Sequence, residues 1–157
     1  MTLRINFDGA ISTKTLSSGI GVVVRDDSGL VLGALSQHIP QVVSPLEIEA
    51  KVASRALQFA SELGFNQVIL EGDCQVLTNA LIEDKSFLSI VGVIIDDIHF
   101  EASCYNQLRY SHVKRESNKV THSLVRYAIE ISNFVVWMEN VPPHLFYVVQ
   151  ADIVGFH

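Results

Sequence analysis

The first forty residues of the chain are written largely in a period of two. Leu3, Ile5 and Phe7 alternate with Arg4, Asn6 and Asp8, a β-branched, glycine-punctuated run follows from Ser18 to Arg25, and the pattern returns from Leu30 to Ser36 after Asp26-Asp27-Ser28-Gly29. Alternation of this kind predicts strands with one face toward a core, and turn residues between the last two runs predict a three-stranded antiparallel meander. Gly9 is expected to end the first strand. The period then changes. Ser44 can cap a helix whose first turn suits Pro45, and Ala-rich helical sequence runs to Leu63 before a stop at Gly64. Gln67 to Glu71 reads as a strand, Gly72-Asp73 opens a second helix through Leu81, and Phe87 to about Ala102 reads as a third helix. A strand from Leu108 to Val113 and a helix from Ser117 to Ser132 follow, and Pro142-Pro143 starts a short amphipathic segment within a helical tail spanning 133–157. The order βββαβααβαα, without repeat or linker, predicts one α/β domain over 1–157: a five-stranded mixed sheet, three strands antiparallel and the rest parallel, flanked by helices.

Composition narrows the function. The longest apolar stretch, Phe87 to Ile95, is about half the length of a membrane span, so no membrane partner is expected. No secretory leader or glycosylation sequon is present, which makes Cys74 and Cys104 reduced thiols of a cytoplasmic or nuclear protein. A net charge of -6 argues against coating nucleic acid by bulk electrostatics. The distribution matters more: five cations (Arg109, Lys114, Arg115, Lys119, Arg126) fall between Tyr105 and Tyr127, where Glu116 is the only acid. A segment like this is either a solvated face or a place for phosphates.

Three acids stand at the ends of elements, where a sheet can gather side chains. Asp8 closes the first strand, Asp73 follows the fourth, and the first helix offers Glu47 or Glu49. Helical spacing decides between the last two, because Glu49 heads the apolar column Ala53, Ala56, Leu57, Ala60, while Glu47 lines up with Lys51 and Arg55. Each acid alone also reads as a turn or cap residue. Carboxylates turned together toward a core edge need compensation, which a hard divalent cation supplies best.

Taken in order, Asn6-Phe7-Asp8-Gly9-Ala10, the meander from Gly19 to Asp26, Glu49-Ala50, Val68-Ile69-Leu70-Glu71-Gly72-Asp73 and the run from Val113 to His122 resemble the ribonuclease H domain family, in its plant reverse-transcriptase-like branch derived from non-LTR retrotransposons. Val136-Trp137-Met138-Glu139 and the Pro-Pro pair resemble that branch's C-terminal end. The resemblance implies a ribonuclease H-like fold and an endonuclease that hydrolyses the RNA strand of RNA:DNA hybrids. It implies two Mg²⁺ ions about 4 Å apart, with Mn²⁺ as a substitute, that activate the water and stabilise the leaving oxygen. Carried over by position, Asp8 bridges both ions, Glu49 holds the leaving-group ion and Asp73 binds on the water side. Gly9 and Ala10 would read groove shape and 2′-hydroxyls through the backbone. Lys114, Arg115, Asn118 and Lys119 would hold nucleic acid, no small-molecule cofactor is implied, and a monomer is expected.

The chain departs from the family pattern in ways that bear on activity. The usual fourth acid on the last helix is replaced by His122, four residues after Asn118. An imidazole there suits transition metals better than Mg²⁺, so His122 counts as a catalytic candidate that weakens the second ion or shifts the site toward Mn²⁺. The amide pair that family members place before the helix carboxylate is replaced by Ser44-Pro45-Leu46, and Ser86 to Cys104 holds no Lys or Arg that could form a basic handle. Hybrid binding is therefore expected to be weak and salt-sensitive. His112 and Cys74 read as structural. A catalytically degenerate module that binds nucleic acid or protein without cutting is the alternative that these departures favour, and a plain interaction domain is a third.

Overall fold

A computed structural model describes residues 2–41, 43–83, 90–131 and 133–138. The meander is present as β1 (Leu3–Ser12), β2 (Ser17–Arg25) and β3 (Val31–Ile39). Gly9 does not end β1: the strand continues for three residues because β2 goes on pairing with it, to Ser12 opposite Ser17. Gly29, at a positive φ of 88°, closes the β2–β3 turn, where the Asp26 carboxylate accepts the backbone N–H groups of Ser28 and Leu30. Then come α1 (Pro45–Glu62), β4 (Gln67–Gly72), α2 (Gln75–Glu83), α3 (Ile90–Ser103) and β5 (Gln107–His112). A single 3₁₀ turn (Arg115–Ser117) precedes α4 (Lys119–Glu130), with Asn118 between them. Ser44 caps α1 as its sequence predicts, its hydroxyl accepting the N–H of Glu47 at 3.2 Å.

The sheet is mixed, in the order β5-β4-β1-β2-β3-β6, with six strands among the described residues rather than the five expected. The extra strand, β6 (Phe134–Met138), pairs antiparallel with β3 and corrects the expected helical tail at its start. Phe-Val-Val-Trp-Met is β-branched and aromatic, and β3 offers it a free edge, so the pleat wins over a helix. The rest of the expected tail, with Pro142-Pro143, lies outside the described residues.

Both faces of the sheet are packed. Ile5 and Phe7 of β1, Val22 and Val24 of β2 and Leu35 of β3 point toward α1, whose buried Val52, Ala53, Ala56 and Leu57 complete the main core with Ile95 and Ile98 of α3. The alternate residues Val23 and Ala34 meet Val120 and Leu124 of α4, with Trp137 of β6 beside them. α4 can lie close because β2 carries glycine at Gly19 and Gly21 beneath it. A Cβ on Gly21 would stand 2.6 Å from the Thr121 carbonyl oxygen and 3.0 Å from the Val125 nitrogen. Beside it, the Ser36 hydroxyl donates to the Leu124 carbonyl at 2.7 Å.

This close approach sets a testable cost. Gly21→Ala puts a methyl group against helix backbone that cannot yield, so it is expected to destabilise the fold by about 1–3 kcal/mol in urea denaturation with an unchanged m-value. An unaltered midpoint would mean that α4 is held less tightly than the geometry requires.

Candidate active site

The sheet register builds the site. β1 runs parallel to β4 with Asn6 opposite Glu71 and Phe7 opposite Gly72, so the next residues, Asp8 and Asp73, emerge side by side where the pairing of the two strands ends. Gly72 has no room for a side chain, since a Cβ there would lie 2.5 Å from the Phe7 ring. β1 also pairs with β2, and the cross-strand row Asp8, Gly21, Ser36 runs under α4. The row's small residues let α4 bring His122 over Asp8, with His122 Nδ1 3.3 Å from Asp8 Oδ2.

Glu49 arrives from the other side of the sheet. A Cβ on Gly9 would meet Ile48 Cγ1 at 2.9 Å, so the glycine lets the first turns of α1 abut β1. The Gly9 N–H then donates to both Asp8 Oδ1 (3.0 Å) and Glu49 Oε1 (3.3 Å). Glu47 makes an i,i+4 ion pair with Lys51 at 3.7 Å instead, as the helical spacing predicts. One oxygen each of Asp8, Glu49 and Asp73 lies within 4.8 Å of the others. The sequence singles out these three acids, and the fold brings them together.

The cluster is electrostatically unbalanced. Burial first, then the charge of Asp8 and a hydrogen bond to it, then the charge of Asp73, push the Glu49 carboxyl up to about 9. Burial and the Asp73 charge also raise Asp8, against the lowering effect of its hydrogen bonds to Glu49 and His122. Glu49 Oε2 is shut from solvent and accepts no hydrogen bond. Three converging carboxylates with an orphaned buried oxygen fit a hard divalent cation, which would satisfy the oxygen and cancel the repulsion.

The other candidates divide into scaffold and rim. Asn118, expected to touch nucleic acid, is 2% exposed. Its Nδ2 donates to the Phe7 carbonyl at 3.0 Å and to Asp73 Oδ2 at 3.4 Å, so this amide acts inside the protein, tying the start of α4 to β1 and β4. Lys114, Arg115 and Lys119 are exposed around that junction. Gly9 and Ala10, with Pro45, Leu46 and Glu49, line a cavity of about 570 Å³. His112 lies 3.3 Å from the Asp73 carbonyl, a backbone contact in keeping with a structural role. Burial pushes the Cys74 thiol up, which disfavours the thiolate.

Glu71 is a residue that sequence reasoning misses. It is buried beside Asp73, pairs with Arg4 and accepts from Asn6 Nδ2 at 3.2 Å, joining β1 to β4. A signal for it does exist: Arg4 and Asn6 share the face of Asp8, and Glu71 that of Asp73.

The raised carboxyls give a pH prediction for the metal-free protein. A folded-state pKa of about 9 against an ordinary 4.5 means that the native state holds a proton the unfolded chain releases. Stability therefore falls as pH rises between those values, and is kept in full below them. With chelator present, the urea midpoint should drop from about pH 5 to about pH 8.5, and Glu49→Gln should flatten that drop. Identical slopes in wild type and variant would show that Glu49 is ionised in the fold.

Comparison with known proteins agrees with this architecture. A family described as reverse transcriptase-like matches residues 6–128. An Arabidopsis thaliana protein that carries a provisional ribonuclease H name is 26% identical over 153 residues, 98% of this chain; the chain spans 24% of that protein's length. RNase H1 from the halophilic archaeon Halobacterium salinarum superposes with a TM-score of 0.76 at 19% identity, over 83% of this chain and 98% of its own. LC11-RNase H1, isolated from compost and solved in complex with an RNA/DNA hybrid, gives a TM-score of 0.73 at 23% identity, over 82% and 96%. With the family match running from Asn6 on the first strand to Ala128 on α4, the chain belongs to the reverse transcriptase-like family and has the ribonuclease H-like fold.

Proposed function

We propose that this chain is a divalent-metal-dependent endoribonuclease that cuts the RNA strand of RNA:DNA hybrids. The observation that carries the reading is the convergence of Asp8, Glu49 and Asp73 at one sheet end, beside a segment rich in exposed cations. The hybrid bound to the structurally similar LC11-RNase H1 supports the choice of substrate. Asp8, Glu49 and Asp73 would hold two Mg²⁺ ions, or Mn²⁺ in their place, and the bound ions supply an activated water and charge stabilisation for the leaving oxygen.

The rest of the work falls to the chain's own groups. β1 aims Asp8 from backbone paired with β2, and Asp73 follows directly on the last paired residue of β4, so neither carboxylate has to be ordered by substrate. Asn118 fixes Asp73 from the start of α4. Lys114, Arg115 and Lys119 hold phosphates, and the backbone at Gly9 and Ala10 faces the sugar edge. His122, beside Asp8, contributes a nitrogen where a carboxylate would suit Mg²⁺ better, so the site prefers Mn²⁺ and works slowly with Mg²⁺. The same His122 contact favours a second reading, in which the domain still binds nucleic acid and no longer cuts.

Cleavage of an end-labelled hybrid at low salt, with Mg²⁺ and separately with Mn²⁺, tests both readings. Wild type should cut faster with Mn²⁺, Asp8→Asn should fall to background, and His122→Asp should raise the Mg²⁺ rate. An inert wild type alongside an active His122→Asp would decide for the second reading, and cutting by Asp8→Asn would overturn the triad assignment. Salt dependence tests the grip: Lys114→Ala with Lys119→Ala should lower the slope of log binding constant against log salt by roughly 0.7–0.9 for each phosphate no longer neutralised.

A further inference from the structure

α3 is apolar on two sides, and among the described residues only one of them is covered. Ile95 and Ile98 are buried against α1. On the opposite side Ile90 is 66% exposed, Val93 63% and Phe100 73%, at helical spacing that puts them in one stripe with Asp97. A helix hydrophobic all round is normally covered all round. Acids flank the stripe: Asp96 and Asp97 lie on it, Asp97 at the edge where it lines a cavity with Lys51 and Arg55 of α1, and Glu101 stands at the α1-facing edge; no described Lys or Arg forms an ion pair with them, and the sequence from Ser86 to Cys104 contains neither cation.

The groove between α1 and the end of α3 continues this surface. Phe100 and Glu101 line a cavity of about 280 Å³ with Leu57, Glu62 and Tyr105. Glu101 accepts Ser54 Oγ at 2.6 Å and Gln58 Nε2 at 3.3 Å, both on Oε1, while its Oε2 is closed off without a donor. Burial and the neighbouring Asp97 hold this carboxyl above its ordinary range, as expected of an acid that lacks a counter-charge.

Charge selects among possible occupants. Nucleic acid would meet three carboxylates. A second copy laid on this face about a two-fold axis would set the same acids against each other. The chain's own 139–157 segment contains no Lys or Arg to answer them. We propose that the outer face of α3 is a docking surface for an amphipathic helix of another protein, one carrying Lys or Arg along an apolar stripe. The face spans about 15 Å from Ile90 to Phe100, which suits two to three turns of a partner helix. So small an interface implies micromolar rather than nanomolar binding. The proposal does not depend on whether the carboxylate triad cuts RNA.

The test is titration of the whole chain, ¹⁵N-labelled, with a synthetic Leu/Lys amphipathic helix of about 14 residues and with a Leu/Glu helix of the same length. The Leu/Lys peptide should perturb amides across 90–104 and bind at micromolar concentration, and the Leu/Glu peptide should not. Val93→Ser with Phe100→Ser should weaken binding about tenfold or more, and so, independently, should Asp97→Asn with Glu101→Gln. Val93, Phe100 and Asp97 are exposed and Glu101 is half-buried against α1, so circular dichroism melts check that each variant folds. Equal binding by either folded variant, perturbations centred on the Asp8 cluster, or equal binding of the Leu/Glu peptide would overturn the proposal. So would a concentration-dependent dimer in ultracentrifugation that Val93→Ser with Phe100→Ser abolishes, since it would give the face to a second copy.

Discussion

The alignment of β1 with β4 is the constraint that the site inherits. Parallel strands can slip, and a slip of one residue sends every side chain to the opposite face. Here Arg4 and Asn6 from β1 both engage Glu71 of β4, so a polar network spans the two strands on the α4 side of the sheet. Slippage would strand the Glu71 carboxylate, 5% exposed, without its partners, and that cost is far larger than the exposure of one apolar side chain. The network lies two residues before Asp8 on one strand and two before Asp73 on the other. It therefore does for the acids what their own repulsion would undo, holding them level where the pairing of β1 with β4 ends.

That repulsion is tolerable because it is confined. Asp8 is set by paired backbone and Asp73 follows directly on the paired end of β4, while Glu49 and His122 are delivered by helices packed on opposite faces of the sheet. Each helix is seated by a missing side chain, at Gly9 for α1 and at Gly21 for α4. The cluster is thus assembled from four elements whose packing energy comes from elsewhere, in the two apolar layers. A site with this much unsatisfied charge stays folded only because the layers outweigh it.

Much of this arrangement is legible in the sequence, and the exceptions have physical causes. Periodicity places the meander and α1, and the helical column from Glu49 through Ala53 and Ala56 chooses the inward acid over Glu47. These features are readable because burial on one face imposes a strict period. β6 reads as helix from sequence because Pro142-Pro143 is a strong helix-start signal and the five residues before Glu139 gain strand structure only from β3's open edge, a tertiary fact. Gly9 reads as a strand end for a similar reason: what carries β1 onward is the pairing of β2. For Asn118, nothing local reveals that its amide reaches Phe7 and Asp73, far apart in the chain.

The placement of His122 shows what a sequence motif conceals about its own variation. In a helix, a residue four positions after Asn118 stands one turn above it, so the pair moves as a unit. The His122 N–H bonds to the Asn118 carbonyl at 3.1 Å, while the Asn118 amide is anchored to β1 and to Asp73. Exchanging the upper residue for histidine therefore changes the donor chemistry beside Asp8 and leaves the anchor intact. The fold can vary this corner of the site at little structural cost, whereas Asp8 is locked into β1, Asp73 is held by the Asn118 amide just past β4, and Glu49 depends on the close approach at Gly9. Variation is expected to concentrate where the backbone does not depend on the side chain, and His122 occupies such a position.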